Sequence, residues 1–137
     1  MSAFVILGSV FILIAALIHL LIFFLESVLW SRPSTWKRFG LKTQEEADIV
    51  KPMAFNQGFY NVFLALGAGI GLVMLGSNNW AQGGIALSIF AGASMVLAAI
   101  VLITSSPKLA RAAAIQGVAP LLGVIFLVIA LLTVPTS

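Results

Sequence analysis

Four long apolar runs separated by three short polar stretches dominate the chain. They extend over about Ala3 to Leu29, Pro52 to Leu75, Ala81 to Thr104 and Ala112 to Val134. Each reaches the roughly 20 residues that an α-helix needs to cross about 30 Å of hydrocarbon. The pattern therefore predicts an all-α, integral membrane four-helix bundle, a single transmembrane domain over residues 1–137. The first apolar run has no basic leader and is too long for a signal peptide, so it is expected to stay attached as the first span.

The connections are unequal. Ser31 to Lys51 forms a polar first loop, Gly76-Ser77-Asn78-Asn79 is a short turn of loop-favouring residues, and Ser105-Ser106-Pro107-Lys108 breaks the chain before the last span. Inside the first loop Thr43 and Glu46 have capping-box spacing, which predicts a short helix over Gln44 to Lys51. Glu45, Glu46 and Asp48 suit the positive end of that helix.

Composition agrees with a lipid environment: 61% of residues are hydrophobic and 8% charged, against about 25% charged in a soluble domain. Mean hydropathy is +1.16. The net charge of +3 comes from basic residues in two places. Arg32, Lys37, Arg38, Lys42 and Lys51 lie in the first loop, and Lys108 and Arg111 follow the third span. By the positive-inside rule both basic loops are expected in the cytoplasm and both termini outside, in a multi-pass plasma membrane protein, most simply of a bacterial inner membrane. Basic residues beside apolar runs suit anionic membrane lipid, and no nucleic-acid partner is expected. The absence of cysteine excludes disulfides and thiolate chemistry.

Ionisable groups within a span are costly, at about 2.5–3.5 kcal/mol near the centre, and so call for a partner or a use. His19 and Glu26 in span one are seven residues apart, about 700° of helical rotation, and Trp30 falls within about 20° of the same face. In span two Asn56, Gln57, Tyr60 and Asn61 follow i, i+1, i+4, i+5 spacing, a one-sided polar stripe. Measured from the basic loop at about 1.5 Å per residue, Glu26 lies about 7 Å deep, Asn56 and Gln57 about 6–8 Å, Tyr60 and Asn61 about 12–14 Å and His19 about 18 Å. Gln116 of span four lies about 7 Å deep. These groups are expected to meet as a polar ladder around a cavity in the cytoplasmic half. One His and one Glu do not complete a metal set, and no cofactor motif is present, so neither metal nor cofactor is expected. Gly67 and Gly71 have the spacing that lets membrane helices approach closely, within the bundle or between two copies of the chain.

His19, Glu26 and Trp30 on span one, Phe39-Gly40 in the loop, and the run Asn56-Gln57-Gly58-Phe59-Tyr60-Asn61 opening span two together resemble the domain-of-unknown-function 1304 family of small membrane proteins. The resemblance covers nearly the whole chain. It implies a four-helix membrane fold and marks Asn56, Gln57, Gly58, Tyr60 and Asn61 with His19, Glu26 and Trp30 as motif positions, but it carries no activity. Three functions fit the residues. They are binding or transport of a small, lipophilic molecule, isomerase- or hydratase-type catalysis on a lipid-like substrate with Glu26 and His19 as acid and base, and a structural or accessory role in which polar groups only fasten helices.

Overall fold

The computed structural model describes residues 2–133, so Val134, at the end of the fourth apolar run, lies outside the described residues. Ser2 caps the first helix, its hydroxyl accepting from the Val5 amide at 3.4 Å. That helix, α1, runs over Ala3–Phe23 and passes directly into a π-helical turn, Phe24–Val28. A short helix α2 (Pro33–Trp36) and a 3-10 turn (Lys37–Phe39) follow, and Gly40 leaves the turn with φ 85°, a conformation open to glycine. The long helix α3 spans Gln44–Leu75, α4 Ala81–Ser105 and α5 Ala110–Thr133. The fold is an all-α membrane bundle, and the protein is a multi-pass membrane protein with four helices long and apolar enough to cross a bilayer.

The helix expected over Gln44 to Lys51 begins at its expected cap. Thr43 Oγ1 accepts from the Glu46 amide at 3.2 Å, and the Glu46 carboxylate accepts from the amides of Lys42 and Thr43. It does not end at Lys51, however, but continues through Pro52 to Leu75. Pro52 offers no N–H to the Asp48 carbonyl, and both residues are exposed where water can serve that carbonyl. Ala47 before the proline and Ala54 after it are buried in one cluster beneath Trp30 and Trp36, which holds both sides of Pro52 to one platform.

The four long helices form a closed ring: α1 packs against α3 and α5, and α4 against the same two, while α1 barely touches α4. Lipid tails are as apolar as leucine, so association rests on close packing rather than on hiding apolar surface. The buried positions accordingly favour small residues, Ala15, Ala16, Ala65, Ala68, Ala91 and Ala99 among them, while Leu17, Val73, Phe90 and Leu132 face outward. Ile12, fully buried, fills the centre, where a Cβ on either Gly92 of α4 or Gly123 of α5 would come within 2.8 Å of it. At the end far from the basic loops α3 and α4 meet backbone to backbone. A Cβ on Gly84 would stand 2.5 Å from the Leu75 amide and 2.7 Å from the Gly71 carbonyl. Gly71 is thus engaged by α4 of the same chain, and Gly67 faces Ala91 of that helix.

Gly84→Ala must push α3 and α4 apart and should cost about 1–3 kcal/mol. Gly69→Ala, whose Cβ would meet nothing within 4 Å, should be neutral or slightly stabilising. Thermal unfolding in detergent checks the pair, and equal effects would contradict the backbone contact.

Candidate functional site

The polar groups of α1 and α3 gather at the end of the bundle that carries the basic loops. Glu26 sits in the π turn and is 4% exposed. Leu29 there donates to the Phe24 carbonyl at 2.8 Å, five residues back instead of four, and such single-turn bulges recur at functional sites. The turn packs closely on α3 because position 58 is glycine. A Cβ there would clash with Ser27 Oγ and stand 3.2 Å from Glu26 Cβ. Ser27 fastens the contact, its hydroxyl donating to the Phe55 carbonyl at 2.9 Å. Nothing in the sequence marks Ser27, since a serine in an apolar run carries no signal of its own.

Asn61 joins the two helices. Its Nδ2 donates to Glu26 Oε2 at 3.0 Å and to the Gln57 carbonyl of its own helix, also at 3.0 Å. Among the described residues this is the only hydrogen bond to the Glu26 carboxyl, and no Lys, Arg or His lies within ion-pairing distance of it.

The other expected members take separate places. His19 is 1% exposed, but its Nδ1 donates to the Ala15 carbonyl at 2.9 Å, back along its own helix, so in the neutral ring Nε2 is the acceptor. Trp30 is 5% exposed and donates from Nε1 to the Ala47 carbonyl at 2.9 Å, with the Phe39 ring tilted against it at 5.2 Å between centroids. It pins the first loop to α3 from within. Asn56, Gln57 and Tyr60 are exposed, Tyr60 to 61%, and Gln116 is half-buried on α5 with no hydrogen bond among the described residues. The single polar ladder is therefore not assembled. Glu26 and Asn61 pair, while His19 turns back on α1 and the other amides and the phenol stand apart from them. The reason is rotational: four residues at i, i+1, i+4 and i+5 cover about 140° of helix surface, and only the edge occupied by Asn61 meets the π turn.

Two surface cavities lie away from the Glu26–Asn61 pair. One, of about 310 Å³, is an apolar cleft between α1 and α3 at the far end, beside Ser9 and Leu72. The other, of about 510 Å³, opens at the basic end between Arg38, Lys108 and Arg111. Among the described residues no three His, Asp or Glu side chains converge as a metal site would require.

A family model described as "Protein of unknown function (DUF1304)" matches residues 13–128, which include the Glu26 turn, the Asn56 to Asn61 run and most of all four long helices. The chain belongs to the DUF1304 family. No curated protein and no solved structure matches it. Membership fixes the family while leaving the activity to be argued from the site.

The Glu26–Asn61 bond has a measurable signature. In a double-mutant cycle of Glu26→Ala and Asn61→Ala, unfolding in detergent should give a coupling of about 0.6 kcal/mol, the average for hydrogen bonds between membrane helices, and at most about 1.7 kcal/mol. A coupling of zero would mean that the two side chains do not meet in the folded protein.

Proposed function

We propose that this DUF1304 protein binds a small, lipophilic molecule in the membrane near its basic end, with Glu26 as the recognising group. The observation that carries this reading is a carboxyl buried within a span with one amide donor and, among the described residues, no cationic partner. A group of that kind in a membrane is by default a functional one, because it is too costly to keep without a use. The chemistry it lacks is a donor, and an apolar molecule bearing an N–H or a protonated amine supplies it. Asn61 then orients the carboxyl, and the exposed Gln57, Tyr60 and Asn56 select hydrogen-bonding groups on the approach along α3. Trp30 closes the site beneath the loop. His19, about 10 Å further along the axis, serves as the second proton-linked group.

One observation favours a second reading. Both hydrogens of the Asn61 amide are engaged within the chain, on Glu26 and on the Gln57 carbonyl, which is the closure that simple helix fastening needs. Octylamine titrated calorimetrically into detergent-solubilised protein separates the two. Saturable binding that is lost in Glu26→Gln, with the melting temperature kept, is the expected result. Binding unchanged in the variant, or absent from the wild type, rejects the site, and loss of assembled protein in the variant favours fastening.

The same proposal places the basic loops in the cytoplasm and the termini outside, in the plasma membrane of a bacterial cell, on the strength of the one-sided charge. The chain contains no cysteine, so single introduced thiols report without background. Ser77→Cys should react with an impermeant maleimide added to whole cells, and Glu45→Cys only after the cells are opened. The opposite pattern would invert the orientation.

A further inference from the structure

We infer that the cleft between the first and third loops is a binding site for the headgroup of an anionic phospholipid. Three cations surround this cavity of about 510 Å³: Arg38 from the 3-10 turn, Lys108 from the turn before α5, and Arg111 from the first turn of α5. They are brought together by the packing of the first loop on the third, where Gly40 faces Leu109. The cleft has no acidic lining, and among the described residues none of the three is ion-paired. The loop acids lie on the first turns of α3, where Glu46 serves the amides of Lys42 and Thr43, and Asp48 accepts from Gln44. The start of the helical stretch Pro107–Thr133 adds the partial positive charge of its dipole. Three uncompensated cations held around one concavity repel each other, and an anion between them removes that cost.

The apolar side of the cleft decides between a free anion and a lipid. Ile115 lines the cavity one turn below Arg111, and from it a row of exposed apolar residues descends α5 through Val118, Leu121 and Ile125. The ten helical steps from Ile115 to Ile125 rise about 15 Å, half of the roughly 30 Å hydrocarbon thickness. A phosphate among the cations with an acyl chain on this row satisfies both halves of the surface, whereas inorganic phosphate would leave the row unused. Basic pockets between helices at a membrane surface suit such headgroups.

Native mass spectrometry of the purified, detergent-solubilised protein tests the site, since charge removal in cells could also alter insertion. With dioleoylphosphatidylglycerol or dioleoylphosphatidylcholine added, the wild type should retain the anionic lipid in excess. The variant Arg38→Gln, Lys108→Gln, Arg111→Gln should lose that excess, at about fivefold per cation removed, while Arg32→Gln, Lys42→Gln, Lys51→Gln, of equal charge, should keep it. Lys108→Gln alone, at an exposed position, gives the single-step value if the triple variant does not fold. Equal retention of the two lipids, equal loss in both triple variants, or full displacement of the lipid by inorganic phosphate would each overturn the inference.

Discussion

The backbone approach of α3 and α4 at Gly71 and Gly84 sets the geometry on which the rest of the bundle depends. In hydrocarbon a large apolar side chain gains little by turning inward, so helices join where they can come nearest. Glycine at the far end lets two carbonyl-bearing backbones touch, and alanines carry the contact toward the basic end. With the helices locked there, the other end can hold larger groups, including a carboxyl, an imidazole and two buried tryptophans. Polarity is thus placed where packing demands are lowest and water is nearest.

The same division explains why the first loop is folded. Trp30 leaves the π turn, donates to the Ala47 carbonyl and is covered by Phe39, while Trp36 shares its cluster with Ala47 and Ala54. The loop is therefore a cap built on α3, and it carries Arg38 to the third loop. Two distinct polar regions result. One, around Glu26, lies between α1 and α3, and the other, cationic, lies between the cap and α5.

Much of this was legible in the residues. Hydropathy marks four spans, and Thr43 with Glu46 marks the start of α3 because a capping box is a local device that needs no tertiary context. Depth counting placed Glu26 about 7 Å and Asn61 about 12–14 Å below the surface, yet the two bond. Side-chain reach and the π turn close the difference, and no local residue pattern announces that turn. Rotation was the other unreadable quantity. A stripe of four polar positions shows which side of α3 is polar but not which edge meets a neighbour, so Asn56, Gln57 and Tyr60 face outward while Asn61 turns in. His19 satisfies itself on Ala15, an outcome that spacing alone does not separate from a cross-helix bond. The cationic cleft depends on two loops far apart in the chain, and only the fold brings them together.

The π turn also bears on how such a protein can change. It holds one residue more than an α-helical path from His19 to Trp30 would use, and the surplus shifts the phase of everything after it by about 100°. The direction in which Trp30 leaves α1 thereby depends on a count of residues as well as on its bond to the Ala47 carbonyl. Adding or removing a single residue near Glu26 would turn Trp30 away from the Ala47 carbonyl on which the cap is built, while leaving the upstream face of α1, with Ile12 and Gly8, in register with its neighbours. The bulge acts as an indexing joint between the packed far end and the polar end.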